Sequence, residues 1–371
     1  MQFIDLKTQQ FNIKEKIKAR IDKVLSHGKY IMGPEVFELE DILADYVGVK
    51  HCISCSSGTD ALLIPLMAKG IGPGDAVITT PFTYIATGEV ISLLGATPIF
   101  SDICPKTFNI DPNSLENSIE EADSKGLKAK AIIPVDLFGL PANYDKIEKF
   151  ATKNKLFILE DAAQGFGGTF MGNKAGSFGD VAATSFFPAK PLGCYGDGGA
   201  IFTNDDNLSK LMKSIRVHGS GANKYDNIRI GLNGRLDTLQ AAILLEKIKI
   251  FDPELDRRNE IAKYFRGNLP EKFRSQFVPK NFSSSWAQFS IVAESMGHRD
   301  RVLASFKNKG IPVMIYYGVP LHLQSVFKSL NYCKGSFPNS ENIANRIFSI
   351  PMHPYLEKNS QDIMLEILTN V

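Results

Sequence analysis

The sequence lacks a charge excess of either sign and lacks any long apolar run. Lysine and arginine number 42 against 40 aspartates and glutamates, a net charge of +2, which gives no long-range field to gather nucleic acid or anionic lipid. No apolar stretch approaches the ~18 residues that cross a bilayer, and the N-terminus lacks the basic and apolar regions of a signal peptide. We therefore expect a cytoplasmic protein that binds neither nucleic acid nor membrane.

Cysteine is also scarce. Five cysteines in 371 residues are an odd number, and without an export signal reduced thiols are the default. Cys52 and Cys55 form a C-x-x-C beside His51, a pattern that also occurs in metal and redox sites. A structural zinc takes about four ligands, and no second pair stands at ligand spacing. We therefore expect buried structural thiols in a strand, and no metal site.

What is present is an ordinary globular composition, with 44% hydrophobic and 22% charged residues. The chain is too long for one compact domain of the usual size. Its texture changes after Asp252-Pro253, where a charged helix is predicted over residues 256–266. We predict a large domain over residues 1–250 and a smaller C-terminal α+β domain over residues 251–371.

Short apolar runs alternate with longer helical stretches in the large domain, a pattern typical of α/β folds. The runs are almost continuously apolar, as in strands that are buried on both faces of a sheet. Crossover helices return the chain to a parallel strand, so we expect a mixed, mostly parallel sheet flanked by helices. Predicted strands cover residues 76–80, 131–135, 156–159 and 181–186, and predicted helices cover residues 34–46, 145–154 and 236–250.

Two of these regions carry groups suited to an anionic or ring-containing ligand. Ser56-Ser57-Gly58-Thr59 is a turn of small residues before a helix, and the free N–H groups at a helix start suit a phosphate. A plain capped helix start explains the same residues. Asp161 ends an apolar strand, where a carboxylate either keeps a pyridine nitrogen protonated or is a solvated loop acid.

A third strand ends in Thr184-Ser185 and runs into a loop that carries Lys190. An amine that bonds covalently to a carbonyl compound must lose its proton near neutral pH, and burial beside a cationic centre lowers its pKa. Glycines follow in Gly196-Asp197-Gly198-Gly199 and let the backbone pass close to a ligand. The polar residues 231–237, just ahead of an apolar helix, are a fourth signal.

This order of motifs resembles the sugar aminotransferases of the DegT/DnrJ/EryC1/StrS family, which belong to fold type I of the pyridoxal 5'-phosphate (PLP) enzymes. The resemblance covers nearly the whole chain. It includes Phe3-Ile4-Asp5-Leu6, Gly28-Lys29-Tyr30-Ile31-Met32-Gly33-Pro34, Leu321-His322-Leu323-Gln324 and Pro351-Met352-His353-Pro354. It implies an α/β fold with a large PLP-binding domain and a smaller C-terminal domain.

The resemblance also implies roles for single residues. Lys190 matches the lysine that binds PLP covalently and moves the protons, and Asp161 matches the partner of the pyridinium nitrogen. Asn233 matches an asparagine that reaches the phosphate of the neighbouring subunit's cofactor, which implies a homodimer with shared sites. The remaining cofactor contacts implied are Gln164 at the ring oxygen, Gly58, Thr59 and Ser185 at the phosphate, and Tyr84 stacked on the ring.

The implied reaction moves an amino group from L-glutamate to a nucleotide-linked keto sugar. Within the family, the segment from Ser185 to Asp197 is most similar to enzymes acting on UDP-2-acetamido-2-deoxy-3-oxo-glucuronate, which supply diamino sugars for O-antigen. A neutral 3-oxo sugar on UDP or dTDP is the second reading and a 4-oxo sugar the third. Implied substrate contacts are Tyr316, Tyr317 and His322, although many relatives have His-Tyr-Pro where this chain has Tyr316-Tyr317-Gly318.

Arg229 is the candidate that would decide between these sugars. It lies four residues before Asn233, so it should reach the sugar end of the same neighbouring site. A guanidinium offers two parallel donors to a carboxylate, and we expect it to bind the C6 carboxylate of a uronic acid. Two alternatives stay open, in which it binds glutamate or pairs with Asp226.

Three other functions agree less well with these residues. A PLP-binding regulator without turnover would not need Lys190, Asp161 and Gln164 together, and a sugar dehydratase of this fold would carry histidine in place of Lys190. An NAD-linked oxidoreductase would need G-x-G-x-x-G after an early strand, which residues 165–168 do not complete.

Overall fold

The computed structural model describes residues 1–223 and 225–371, and helices and strands alternate along most of this length. The helices are α1 Leu6–His27, α2 Pro34–Val47, α3 Gly58–Ala68, α4 Ala86–Leu93, α5 Leu115–Ser124, α6 Tyr144–Asn154, α7 Asp206–Ile215, α8 Thr238–Lys247, α9 Phe251–Asn268, α10 Met296–Asn308, α11 Pro338–Arg346 and α12 Lys358–Asn370. The strands are β1 His51–Cys55, β2 Asp75–Thr79, β3 Thr97–Phe100, β4 Lys128–Ile133, β5 Phe157–Asp161, β6 Thr169–Phe170, β7 Asn173–Lys174, β8 Val181–Ser185, β9 Gly199–Thr203, β10 Arg274–Ser275, β11 Phe282–Ser283, β12 Phe289–Val292 and β13 Ile347–Ile350.

A seven-stranded sheet forms the centre of the fold, in the order β1-β9-β8-β5-β4-β2-β3. Parallel pairs join β3, β2, β4, β5 and β8. β9 runs antiparallel to both of its neighbours, β8 and β1, so β1 points the same way as β8. The mixed, mostly parallel sheet that the sequence predicted is therefore confirmed.

The predicted strands and helices of this domain are present. β2, β4, β5 and β8 match the four predicted strands with bounds that shift by at most three residues. Every residue of β5 is buried, as expected of a strand covered on both faces. In α2 the apolar positions Val36, Leu39 and Leu43 are fully buried against the facing side of α8, so helical spacing identified the right face.

Helix α9 starts earlier than the sequence predicted. The prediction placed its first residue after Asp252-Pro253, whereas the helix begins at Phe251 and includes both residues. Proline is tolerated in a first helical turn because the N–H groups there have no intrahelical acceptor. The helix predicted over residues 236–250 ends at Lys247 and continues as a 3₁₀ turn, Ile248–Ile250.

The C-terminal part has its own apolar core and its own small sheet. β10, β12 and β13 form a three-stranded antiparallel sheet, and its strands pack with α10 and α12. Helix α9 contributes to both cores, since Phe251 and Leu255 pack beside α2 and α8 while Ile261 and Phe265 pack in the C-terminal core. The division at residue 250 stays a prediction.

Two further expectations concern membrane-spanning helices and the cysteines of β1. No helix within residues 1–223 and 225–371 is long and apolar enough to cross a membrane. Cys52 and Cys55 lie buried in β1, as predicted, and burial raises the pKa of both thiols.

Candidate active site

The predicted site residues meet at one edge of the central sheet. Parallel strands end at the same edge, and Asp161 of β5 is aligned with Ala183 of β8, two residues before Ser185. Gly199, the first residue of β9, is aligned with both Cys55 of β1 and Ser185 of β8. The turn after β1, the end of β5 and the loop after β8 therefore lie together. We call this place the carboxyl edge.

A tight helix start forms one wall of the carboxyl edge. α3 begins at Gly58, and the N-cap hydroxyl of Ser57 accepts a hydrogen bond from the amide of Asp60 at 3.0 Å. The amides of Gly58 and Thr59 have no intrahelical acceptor at this position, and the positive end of the helix dipole lies there. A Cβ on Gly58 would stand 2.6 Å from Cβ of Ser185, so only glycine brings this turn so close to β8.

Asp161 is held as a buried carboxylate at the end of β5. It is 5% exposed. The hydroxyl of Thr87 donates to Oδ2 at 2.8 Å, and the amide of Ala163 donates to Oδ1 at 3.2 Å. Burial raises the pKa of Asp161, and the two donors and the nearby Lys190 oppose that rise. Thr87, on α4, was not identified from the sequence.

Lys190 lies half-buried in the loop between β8 and β9. Burial lowers the pKa of its ammonium group, and the nearby Asp161 carboxylate opposes the shift. This favours the neutral amine that covalent chemistry needs. The amide of Lys190 donates to the carbonyl of Phe187 at 2.8 Å, which closes a turn at the residue itself.

The rest of this loop is fixed by two α8 side chains that sequence reasoning missed. Nζ of Lys247, which is 2% exposed, donates to the carbonyl of Gly193 at 2.6 Å. Oε1 of Gln240 accepts from the amide of Tyr195 at 2.9 Å. A lysine in a strongly apolar helix was the available signal, because such a side chain must find an acceptor when it is buried. Burial lowers the pKa of Lys247 to about 8.

Gln164 connects the carboxyl edge to the C-terminal domain. Its Oε1 accepts from the amide of Phe138 at 2.7 Å, and its Nε2 donates to the hydroxyl of Tyr317 at 3.1 Å. The ring of Tyr84 lies 6.4 Å from that of Tyr317 and is 57% exposed. Tyr84 therefore presents a free aromatic surface beside these groups, as a stacking residue requires.

The remaining predicted substrate contacts differ in exposure. Tyr316 is partly buried, with its ring edge-on to Phe3 at 6.1 Å. The His322 side chain has no exposed surface, and its Nε2 lies 3.0 Å from Glu341. A sugar reaches His322 only if that ring becomes exposed, so its contact with substrate stays a prediction that this arrangement does not favour.

Arg229 and Asn233 lie on a separate segment, residues 217–223 and 225–235, which we call the arm. Asn233 is exposed, and its Oδ1 accepts from Arg235 at 2.7 Å. The guanidinium of Arg229 donates to the hydroxyl of Ser214, and no salt bridge joins it to Asp226 among the residues described. Neither side chain hydrogen-bonds a residue of the carboxyl edge within the described part of the chain.

Comparison with known proteins identifies the family to which this chain belongs. The model of the DegT/DnrJ/EryC1/StrS aminotransferase family matches residues 11–369. The chain belongs to this family. It is 48% identical over 371 residues, the whole of both chains, to UDP-2-acetamido-2-deoxy-3-oxo-D-glucuronate aminotransferase of Pseudomonas aeruginosa. It is 42% identical, over 98% of this chain and 96% of the relative, to a pleiotropic regulatory protein of Geobacillus stearothermophilus.

Solved structures of the family agree in fold. A DegT/DnrJ/EryC1/StrS aminotransferase from Brucella abortus matches with a TM-score of 0.96 and 48% identity, covering 100% of this chain and 99% of that one. A Bacillus subtilis protein solved with bound cofactor PMP matches with a TM-score of 0.89 and 29% identity, over 99% of this chain and 82% of that one. This family member is a PLP-dependent aminotransferase of fold type I.

The residues at the carboxyl edge fit this cofactor. The chemistry needs an amine with a lowered pKa, a buried carboxylate for the ring nitrogen and a cradle for the phosphate. Lys190, Asp161 and the turn at Gly58 supply groups of these three kinds. Their individual roles stay predictions, which we develop next.

Proposed function

We propose that this aminotransferase transfers the amino group of L-glutamate to the 3-oxo carbon of UDP-2-acetamido-2-deoxy-3-oxo-glucuronate. The product is a 3-amino sugar nucleotide for surface polysaccharide such as O-antigen, formed in the cytoplasm. The observation that carries this proposal is the 48% identity to a Pseudomonas aeruginosa enzyme of that name, which extends over the whole of both chains.

The carboxyl edge would hold the cofactor by two kinds of non-covalent contact. The amides of Gly58 and Thr59 and the hydroxyl of Ser185 would bind the phosphate, at the positive end of α3. The exposed ring of Tyr84 would stack on the pyridine ring. When bound, PLP supplies an electron sink that stabilises the charge left as a proton leaves the carbon beside the amine.

Lys190 has two tasks in this proposal. Its Nζ would hold the cofactor covalently, and the same amine, once released, would be placed to move a proton between the two carbons that react. The lowered pKa of Lys190 supports both tasks, because only the unprotonated amine is a nucleophile or a base.

Asp161 and Gln164 set the electronic state of the ring. The Asp161 carboxylate keeps a proton on the ring nitrogen, since an anion at close range favours the cationic form. Thr87 and Ala163 occupy one lone pair on each oxygen and fix its direction. Gln164 contacts the ring oxygen with the N–H that is not donated to Tyr317.

Substrate recognition in this proposal needs a second subunit. Asn233 and Arg229 lie on the arm and hydrogen-bond no residue of their own carboxyl edge within the described part of the chain. In a homodimer they would reach the partner's site. Asn233 would reach the phosphate of that cofactor, and Arg229 the C6 carboxylate of the sugar. Tyr316, Tyr317 and His322 would line the sugar side of the site in the same chain.

The decisive experiment supplies glutamate and a panel of keto-sugar nucleotides and identifies the amino sugar by mass spectrometry. The panel contains the UDP-linked 3-oxo uronate, its neutral 6-hydroxyl counterpart, a dTDP-linked 3-oxo sugar and a 4-oxo sugar. Preferred amination of the uronate at C3 supports the proposal. Preferred amination of a neutral sugar overturns the substrate assignment, and absence of turnover with every acceptor favours the regulatory alternative.

A further inference from the structure

Two acidic side chains are buried in contact with each other behind the carboxyl edge. Asp136 follows β4, and Glu160 precedes Asp161 in β5. Both are 0% exposed. The backbone amide of Asp136 donates to the carbonyl of Asp161 at 3.1 Å. The carboxyl groups of Asp136 and Glu160 lie near enough to hydrogen-bond when one of them is protonated. Among the described residues no salt bridge neutralises either of them.

The hydrogen bonds of this pair leave one buried carboxyl oxygen without a donor. Oδ1 of Asp136 accepts from the amide of Ala142 at 2.9 Å and from the hydroxyl of Tyr144 at 2.8 Å. The two oxygens of Glu160 accept from backbone amides at 2.7 and 2.8 Å. Oδ2 of Asp136 is buried and has no hydrogen-bond partner among the described residues. Two ionised carboxylates this close together and this deeply buried would repel strongly.

We propose that Asp136 and Glu160 share one proton and act as a buried positioning pair for the segment that carries Asp161 and Gln164. The proton lies between Oδ2 of Asp136 and Glu160, so that every oxygen of the pair has a donor or gives one. The pair carries one negative charge. The charged or titratable groups that face it from neighbouring elements are Tyr144 of α6 and Asp161 of β5.

The packing shows why this pair would control position. A Cβ on Gly165 would stand 2.4 Å from Cβ of Asp136 and 2.5 Å from its Oδ2, so the residue after Gln164 lies directly on the Asp136 side chain. Phe138, two residues after Asp136, holds the Gln164 amide oxygen at 2.7 Å. Asp161 shares its backbone with Glu160 and its carbonyl with Asp136. A change of charge or shape at the pair is therefore transmitted to both predicted cofactor contacts.

The first test detects the proton itself, by infrared spectroscopy of the full-length protein with and without cofactor. We expect wild type to show the carbonyl stretch of a buried protonated carboxylic acid near neutral pH. Asp136→Asn and Glu160→Gln should each remove that band, because an amide then donates in place of the shared proton. The matched control is Glu40→Gln, since Glu40 is equally buried but ion-paired with Arg216. A band that persists in both pair variants, or that is absent from wild type, overturns the proposal.

The second test measures positioning, and it rests on the proposed function because it reads cofactor affinity. Asp136→Asn keeps the shape and the donor, and should bind PLP within about threefold of wild type. Asp136→Ala strands the donors of Ala142 and Tyr144 and should weaken PLP binding by about tenfold or more. Equal affinity in both variants contradicts positioning. The infrared band does not depend on the sugar or on catalysis, so failure of the proposed function leaves that test standing.

The pH dependence of stability gives a third readout that a merely structural role would not move. Burial raises the pKa of both Asp136 and Glu160 above that of an ordinary carboxyl group. A carboxyl whose pKa is raised in the folded state contributes stability at low pH that is lost as the pH rises through the folded pKa. As the pH rises above the ordinary carboxyl pKa of 3.8, the melting temperature of wild type should therefore fall more steeply than that of Asp136→Asn. Identical slopes contradict a titrating pair.

Discussion

The carboxyl edge and the arm differ in how their polar groups are satisfied. At the carboxyl edge, Asp161 and Gln164 are nearly buried and have internal partners on both of their polar atoms. On the arm, Ile228 and Ile230 are 56% and 85% exposed, and Asn233 is exposed as well. The polar groups near the Lys190 amine thus find their partners within one chain, whereas the arm presents apolar and polar side chains on its surface.

The carboxyl edge and the arm are therefore fixed in place in different ways. The reaction centre is fixed by the sheet, because β1, β5 and β8 must end together once they are paired. The backbone of the arm is tied to the large domain, since the amides of Leu232 and Gly234 donate to the carbonyls of Ile215 and Arg216, but its side chains at Ile228, Ile230 and Asn233 stay exposed. In the proposed homodimer these exposed side chains would be the ones that the partner subunit covers.

The largest effect should come from the carboxyl edge. Lys190→Ala should abolish transamination, with a loss of at least about a thousandfold in kcat, because both the covalent anchor and the proton carrier are removed. The fold and much of the PLP binding should remain, since the phosphate cradle, Asp161 and Tyr84 are intact. Absorption spectroscopy and equilibrium binding measure the two parts. Retention of the visible band of covalently bound cofactor would show that another residue is the anchor.

The next effect tests the arm. Arg229→Ala should lower kcat/KM for the 3-oxo uronate by about 30- to 1,000-fold, the cost of losing a desolvated charge-assisted contact of roughly 2–4 kcal/mol. Steady-state kinetics with saturating glutamate should show little change on the neutral 6-hydroxyl counterpart. Equal losses on both acceptors would place Arg229 on glutamate or in the scaffold.

A smaller effect tests whether the arm serves the other subunit. Asn233→Ala should weaken retention of PLP by about tenfold, the value of one hydrogen bond to a charged group. Mixed with Lys190→Ala, it should give hybrid dimers in which one site has both side chains, so activity rises above that of either variant alone. A stable, active monomer in sedimentation would rule out shared sites.

The smallest effect concerns a residue that only tunes the carboxyl edge. Thr87→Val removes a donor from Oδ2 of Asp161, so the pKa of Asp161 rises further. Activity needs the carboxylate, which is lost as the pH falls through its pKa, and the acid limb of kcat/KM should therefore move to higher pH. Thr83→Val is the control, because Thr83 contacts Thr87 but not Asp161. The prediction fails if both variants keep the wild-type limb.

Sequence patterns predicted the parts of the site that depend on local order. A buried parallel strand is recognised by its almost continuous apolar run, and a polar residue that follows it lies at the carboxyl edge of the sheet. Asp161 and Lys190 could therefore be placed from the residues that precede them in the sequence. The supporting contacts could not. Thr87 lies 74 residues from Asp161, and Lys247 lies 54 residues from Gly193. Such pairs depend on how helices dock, which short-range spacing does not encode.

The same limit applies to the pair behind the edge and to the start of α9. Glu160 alternates with Asp161 along β5, so it must face the opposite side of the sheet, but its partner Asp136 comes from the loop after β4. The start of α9 was predicted too late, because the helix was expected only after Pro253. Proline interrupts a helix only beyond the first turn. Element type was predictable where a whole segment agrees, and side-chain partners were not.

The antiparallel direction of β9 limits how this protein can vary. Because β9 returns beside β8, the connection that carries Lys190 is a hairpin of residues 186–198 with both ends at the same edge. Its length is set by two anchored strands, unlike the crossovers that pass over the sheet and can accept insertions at small entropic cost. An insertion in this hairpin would change the reach of the amine. An insertion in a crossover would leave that reach unchanged.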